Sequence, residues 1–448
     1  MIRGVAELVC IVLGLALVSV PAAAEDAVAL ERERERERER NREPEPEPEG
    51  DREEDPNRFE LAPFPALGGD SDVGVTLGID GTLSRLEEGY SPYRYSIHLI
   101  AVLSIKSDPE GGAEVPTHDY KLELDFPGLA GGRLRLMPRV GFERTINAGW
   151  YGMPGLATYP DPLSREVLGE GRTNQYILMQ ASGDMNLRWR SSRTSPIELL
   201  AGATFRYVMP DTYGGSLLET DMHQQYADGE WVVPGLEWHP LVQVRVGLLW
   251  DRRDHELVPT RGTMVEVSTR GALAFPEDDT LAFMGITGDF RLFVPLVDDQ
   301  RLVWASRLFV DVQLGDVPFY ELSRMGAFDP QGFCSGSVIR AAPEGRHAGV
   351  AKVVGSMELR TLFAPFRLFR MNMVFGMVFF LNVGHIWSTF VPEPPFESAG
   401  SSSAWGAGVG LLLRWGETMV VRIEAGYSPD ASDGGLPVGI YFTLGHAY

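Results

Sequence analysis

From Phe59 to its last residue the chain alternates apolar and polar side chains, run after run. Tyr120, Leu122, Leu124 and Phe126 interleave with Asp119, Lys121, Glu123 and Asp125. Val242, Val244, Val246, Leu248 and Trp250 interleave with Gln243 and Arg245, and Trp304, Leu308, Val310 and Val312 with Arg307, Asp311 and Gln313. Successive side chains of a strand point to opposite faces. Each run therefore reads as a strand with one apolar and one polar face, and their repetition makes the chain all-β. A soluble sandwich alternates in the same way with its polar face outward, so other features must decide which face is inside.

The N-terminal part bears on that choice. Met1 to Ala24 has the build of a secretory signal peptide: Arg3, an apolar run from Leu8 to Val20, and the small residues Ala22-Ala23-Ala24. The apolar run is short for an anchoring helix, which needs about 20 residues. Cys10 lies in the leader, so the exported chain keeps only Cys334 and has no internal disulfide. Residues 25–57 are low in complexity. Glu31 to Arg40 is a strict Glu-Arg alternation, and Glu43 to Glu49 alternates Glu with Pro. This suits an extended, solvated, disordered tether on the periplasmic side; a docking arm for a periplasmic partner is the sharper alternative.

Beyond the leader no long apolar helix remains, yet the chain is exported and rich in strands. Its connections also alternate in length. Short ones (Pro127 to Gly131, Ser191 to Ser195, Val297 to Gln300, Trp415 to Glu417) take turns with long ones (Lys106 to Thr117, Ala148 to Arg172, Pro210 to His239, Ser388 to Ser403). Outer-membrane barrels have short periplasmic turns and long external loops, and lipid tolerates no open sheet edge. The expectation is a transmembrane antiparallel β-barrel over 58–448, closed, with both termini on the periplasmic side. Its sixteen strands are expected near 58–65, 71–82, 93–106, 118–127, 132–145, 174–190, 196–209, 240–251, 261–273, 281–296, 301–315, 349–363, 371–387, 404–414, 418–428 and 437–448. The first is the weakest, because Pro63 and Pro65 remove ladder donors. Trp150, Tyr151, Trp387, Trp405 and Tyr427 are candidates for aromatic girdles.

One stretch has more specific content. A Gly- and Ser-rich loop ends in Ile339-Arg340-Ala341-Ala342-Pro343-Glu344-Gly345-Arg346. Two strand patterns follow. The first places Lys352, Ser356, Glu358 and Arg360 on one face, and the second places Phe380, Asn382 and Gly384 together. Arg340 can reach Glu358 or Asn382 only if the loop folds back inside. Earlier, Trp250-Asp251-Arg252-Arg253-Asp254 leads through a turn to Pro259-Thr260-Arg261-Gly262; an ordinary charged turn with a glycine stop would look the same. The chain ends on Gly439-Ile440-Tyr441-Phe442-Thr443-Leu444-Gly445-His446-Ala447-Tyr448.

Together these segments resemble the outer-membrane assembly-factor barrels, the BamA/TamA-like superfamily or bacterial surface antigen family. The resemblance covers nearly the whole chain from about Phe59. In that family an extracellular loop carrying an Arg-Gly-aromatic motif tucks into the barrel, and its Arg meets carboxylates on the next two strands. Arg340 matches the Arg, Glu344 and Arg346 match residues that often follow it, and Glu358 matches the first carboxylate. Ala341 stands in place of the Gly, Ala342 in place of the aromatic residue and Asn382 in place of the second carboxylate. The resemblance thus implies a latch with one charged partner, looser than the family norm. Asp251, Arg253, Asp254, Pro259 and Gly262 match the family's strand-turn-strand signature. Phe442, Leu444 and Tyr448 resemble the C-terminal signal by which the barrel assembly machinery recognises its substrates. The family usually carries periplasmic POTRA domains, for which this sequence leaves no room.

The implied function is assistance in protein insertion or translocation at the bacterial outer membrane, through the seam between first and last strands. The partners would be membrane lipid and unfolded outer-membrane client proteins. A passive pore or structural barrel is the alternative. A net charge of -22 disfavours nucleic acid. No Gly-x-Ser-x-Gly elbow occurs, the eight His are scattered and none pairs at metal spacing. No catalytic residue, cofactor or metal is expected, and the inward-facing charges are expected to pair with one another.

Overall fold

A computed structural model describes residues 55–444, apart from 71–73, 108–111, 157–171, 227–228, 230, 278, 300, 327–330, 333, 336–337, 369–370, 391–395, 397–399, 417–418 and 431–436. The leader, nearly all of the tether and Tyr448 lie outside the described residues. Long strands form close to the expected positions, with the two-residue β4 added inside an expected connection: β1 Phe59–Asp70, β2 Gly74–Arg85, β3 Tyr95–Ser107, β4 Ala113–Glu114, β5 His118–Gly128, β6 Leu134–Gly149, β7 Gln175–Arg190, β8 Ile197–Thr212, β9 His239–Asp251, β10 Gly262–Ala274, β11 Leu281–Pro295 and β12 Leu302–Gly315. After the short β13 Arg324–Met325 and β14 Gln331–Gly332 come β15 Ala351–Leu368, β16 Met371–Trp387, β17 Ser401–Trp415, β18 Met419–Tyr427 and β19 Val438–Leu444. Seventeen strands share one sheet, and β13 and β14 make a small hairpin of their own. No helix among the described residues is long and apolar enough to cross a membrane.

Every long strand pairs antiparallel with its neighbour in sequence, from β1 with β2 through to β18 with β19. The faces are inverted relative to a soluble sheet. On β9, Val244 and Val246 are 59% and 57% exposed, whereas Arg245 between them is 4% exposed. Gln243, Arg270, Asp289, Arg307, Asp311, Glu358 and Arg422 are all buried, while Leu248, Val267, Ile286, Phe379 and Leu411 face outward. Water would favour the opposite arrangement by roughly 25 cal/mol for each Å² of apolar surface. A sheet with apolar side chains outside and paired charges inside suits lipid.

The expected closure of the barrel is not found. Among the described residues β1 pairs only with β2, and β19 only with β18. The ends approach one another, because Glu60 of β1 lies against Gly416 in the β17–β18 turn, but no ladder joins them. The physical reason is visible in β1. Leu86 N–H donates to the Arg58 carbonyl at 2.9 Å, so the even-numbered residues of β1 turn their backbone groups toward β2. The odd-numbered ones, Pro63 and Pro65 among them, face the open side, and a proline has no N–H to donate there. Proline weakens the edge of β1 without disturbing its pairing to β2, which runs the whole length of the strand.

The aromatic girdle is only partly as expected. Trp405 and Tyr427 stand exposed side by side on the outer face. Trp150 is buried instead, donating from Nε1 to Asp221 Oδ2 at 2.8 Å. It belongs to an apolar cluster under the long loops, with Leu218 of α1 (Leu217–Asp221) and Phe319 of α2 (Phe319–Leu322).

Candidate functional site

Inward-facing charges pair within and between strands of the inner face. Arg270 forks onto Asp311 at 2.7 and 3.0 Å, and Lys352 donates to Gln313 at 2.8 Å. Arg307 forks onto Asp289 at 2.8 Å for both bonds, and Asp289 also takes Arg291 at 2.7 Å. An isolated buried charge costs several kcal/mol, and pairing with full hydrogen bonding is what offsets that cost.

Described residues of the connection between β12 and β15 enter this interior at two places. At the near end Glu321 of α2 accepts from Arg206 of β8 at 2.6 Å, and the Tyr320 hydroxyl meets His239 Nε2 of β9 at 2.6 Å. Burial would raise the Glu321 carboxyl, but Arg206 and Arg324 draw it down to about 2. At the far end is Arg340, fully buried. Its Nη1 donates to Glu358 Oε1 at 2.6 Å and to Glu424 Oε1 at 2.9 Å, and its Nε to Asn382 Oδ1 at 2.9 Å. The guanidinium carbon lies 3.8 Å from the centroid of the Phe380 ring. Glu358 also accepts Arg422 at 2.7 Å and Arg360 at 2.7 Å, and Glu424 accepts Arg422 at 2.6 Å. Three guanidiniums therefore surround two carboxylates, and Glu358 touches all three.

The structure brings Arg340, Glu358 and Asn382 together. It also changes the expected balance. Arg340 keeps a second carboxylate, because Glu424 of β18 stands in where Asn382 of β16 cannot. Glu424 lies far along the sequence from Arg340; its only signal was its inward position beside Arg422 in the alternation of β18. Glu344 and Arg346 lie apart from the cluster. Glu344 is exposed, and the Arg346 guanidinium sits 4.5 Å from the centroid of the Tyr151 ring.

The two alanines of the loop motif now have physical meanings. Ala341 has φ +70°, a region where L-residues carry a cost and glycine does not. Its surroundings admit little beyond a methyl group, since Gly426 and Gly439 line the path beside it and the Arg340 carbonyl lies against Gly406. Ala342 is buried, and its carbonyl accepts from the Tyr441 hydroxyl of β19 at 3.2 Å. The loop thus lies across β17, β18 and β19 and contacts the last strand.

The turn motif also enters the interior, from the opposite end. Asp254 accepts from the backbone N–H of His255, Thr260 and Arg261 at 2.9, 2.9 and 3.1 Å, and from the Thr260 hydroxyl. Arg253 binds Asp251 at 2.6 Å and donates to the Glu256 carbonyl at 3.1 Å. Gly262 has φ +111°, and a Cβ there would collide with the Arg252 carbonyl. Residues 252–261, with Pro259 near the end of this run, thus form a folded knuckle. Its tip holds Glu256, which accepts from Arg135 of β6 at 2.6 Å and Arg188 of β7 at 2.8 Å. Burial would raise this carboxyl, but Arg135, Arg188 and Arg253 hold it well below the usual range. Val258 packs on Val378, Leu412 and Val420 of the opposite wall. Sequence reasoning named the motif and missed Glu256, whose partners are more than a hundred residues away in one case.

Of the C-terminal residues, Phe442 pairs with Ile423 and Leu444 with Val421. Among the described residues no group of three or more His, Cys, Asp or Glu is placed to hold a metal ion.

An Omp85 superfamily domain matches residues 178–448, more than half of the chain. The chain belongs to the Omp85 superfamily. The match takes in every residue of the Arg340 cluster and of the β9–β10 knuckle. No curated protein matches the chain. Three solved structures are similar to this Omp85 member: BamA from Haemophilus ducreyi lacking POTRA domains 1-3 (TM-score 0.47, 14% identity), CdiB from Escherichia coli (0.49, 13%) and CdiB from Acinetobacter baumannii (0.44, 12%). The alignments cover 87%, 89% and 87% of this chain and 70%, 66% and 65% of those chains. The family assignment rests on the domain match.

Proposed function

We propose that this protein works at the bacterial outer membrane as an insertion or translocation factor, with the seam between β1 and β19 as its working edge. The observation that carries this reading is the missing ladder between those strands. In lipid, an unpaired N–H or C=O costs several kcal/mol, so an open edge calls for another strand to cover it. A client strand supplies that cover by β-augmentation.

The two edges are unequal partners. On β18–β19, Ser428 N–H donates to the Pro437 carbonyl at 3.1 Å, which turns Val438, Ile440 and Phe442 toward the open side. Each has its N–H. β1 lacks that donor at Pro63 and Pro65. We assign the templating edge to β19, with β1 as the blunted side. The loop latch (Arg340 with Glu358, Asn382 and Glu424) and the Tyr441 bond then hold β19 in position, while the knuckle of Asp251, Arg253, Asp254, Pro259 and Gly262 braces the opposite end. Export by the leader, a periplasmic tether over 25–57, recognition of the last residues by the assembly machinery and unfolded clients as partners complete the proposal. A passive pore is less well supported, because the loop and the knuckle occupy the interior.

The test is reconstitution in liposomes with a denatured, unrelated barrel protein, following that protein's folding rate. Acceleration that disappears when cysteines placed in β1 and β19 are crosslinked supports the proposal. No acceleration by correctly folded protein overturns it.

A further inference from the structure

A polar cavity lies under the long connections. It has a volume of about 670 Å³ and is lined by Tyr151, Asn174, Arg346, His347, Ser402 and Asp430, among others. That volume is within the roughly 300–1,000 Å³ of small-molecule sites. Three of these residues make a chain of contacts that the seam and the latch do not use. The Ser402 hydroxyl meets His347 Nδ1 at 2.8 Å. His347 Nε2 lies 3.4 Å from Asp430 Oδ2. Ser402 comes from the start of β17, on the same face as the inward Ala404 and Gly406; His347 follows the latch loop; Asp430 sits between β18 and β19. Sequence spacing hides the group, since Ser402 and His347 are 55 residues apart.

We propose that Ser402, His347 and Asp430 form an esterase site, taking short-chain carboxylic esters of polyhydroxylated alcohols such as O-acylated sugars. The arrangement has the working parts of nucleophilic acyl transfer: a hydroxyl, a base within hydrogen-bond reach and a carboxylate 3.4 Å from the other nitrogen of the base, a contact that closes to a hydrogen bond when the ring turns. The ring is used with Nδ1 toward the serine, and either imidazole nitrogen can take a proton. His347 is almost fully buried, and that burial lowers its pKa, which keeps the ring neutral and able to accept. Asp430 also has Arg346 Nε at 4.0 Å, so a guanidinium faces the cavity beside the neutral ring. The hydroxyl and amide groups of Tyr151, Thr173 and Asn174 in the lining suit a hydroxylated substrate better than a long acyl chain.

The reaction balances with water alone. Ser402 Oγ bonds to the ester carbonyl carbon while its proton passes to His347 Nδ1. The tetrahedral adduct collapses, the carbon–oxygen bond to the alcohol breaks, and the departing alkoxide takes the proton from His347. Water then attacks the acyl-serine with the same base, releasing the carboxylic acid and restoring Ser402. Asp430 acts as a positioning residue, holding the ring and stabilising its cationic form.

The test uses the full chain, folded in detergent micelles, with a fluorophosphonate probe and with p-nitrophenyl acetate. The expected result is a single adduct mapped by mass spectrometry to Ser402, hydrolysis above the detergent blank, and loss of both in Ser402→Ala. His347→Ala is expected to lower the rate by about 10²–10⁴-fold. Asp430→Asn is expected to lower kcat, with KM little changed, and to shift the acid limb of the pH profile, which a merely structural role would not do. An adduct on another residue, or none on folded wild-type protein, overturns the proposal, and so does hydrolysis that survives in Ser402→Ala. Neither readout involves client folding, so this proposal and the one for the seam fail separately.

Discussion

The wall formed by β15 to β18 and the seam between β1 and β19 lie at neighbouring parts of one sheet and are built on opposite terms. In the wall, strands pair over 9 to 17 register positions, and three guanidiniums and two carboxylates lock a loop against them. At the seam, one strand carries prolines on its open side and no ladder joins it to the other among the described residues. The contrast teaches where rigidity is needed. An open edge keeps its register only if the strands behind it are held. The loop contacts those strands from inside and reaches β19 through Tyr441.

The comparison is broken most severely at Glu358. Glu358→Gln leaves three guanidiniums around one carboxylate, and an uncompensated buried charge costs about 3–5 kcal/mol. The expected outcome is a large drop in unfolding temperature, measured by loss of the β signal in circular dichroism. Arg340→Ala is expected to cost less, roughly 2–3 kcal/mol from lost charge-assisted bonds. It leaves Arg360 and Arg422 balanced against Glu358 and Glu424. Its sharper signature is local: proteolysis within 316–350 should speed up, and an unchanged cleavage pattern would count against the latch.

Glu256→Gln separates the knuckle from the latch. Two charge-assisted bonds weaken, for roughly 1.5–3 kcal/mol at neutral pH. Because the folded Glu256 carboxyl is held below its unfolded value, its contribution is present in full above that value and is lost as pH falls through the folded one. Wild type and variant should therefore differ at pH 7, and their unfolding temperatures should draw together below about pH 4. A gap that does not change with pH would contradict the ionised pairing. The smallest expected effect is a gain. Ala341→Gly relieves a side chain at φ +70° and should stabilise by about 0.5–1 kcal/mol, after allowing for the greater freedom of glycine when unfolded.

The strands were legible because the interior is polar. A period of two is strongest when every second residue changes from Val or Leu to Arg, Asp or Gln, as along β9 and β11. The position of Arg340 beside Glu358 was legible through the face pattern of β15. Closure was not legible, since it depends on which backbone groups of an edge strand point outward. Pro63 and Pro65 hinted at the outcome without deciding it. Glu424, Glu256 and the Ser402–His347–Asp430 group were hidden for a shared reason. Each depends on contacts between loops or strands far apart in the chain, which local periodicity does not encode.

The most direct test of the open seam is residue-resolved amide hydrogen exchange along β19 in detergent micelles. An unpaired outer edge predicts alternation: fast exchange at Val438, Ile440 and Phe442, and slow exchange at Gly439, Tyr441 and Thr443, which bond to β18. Uniform protection from Val438 to Thr443 would mean that β1 and β19 are zipped, and would contradict the account.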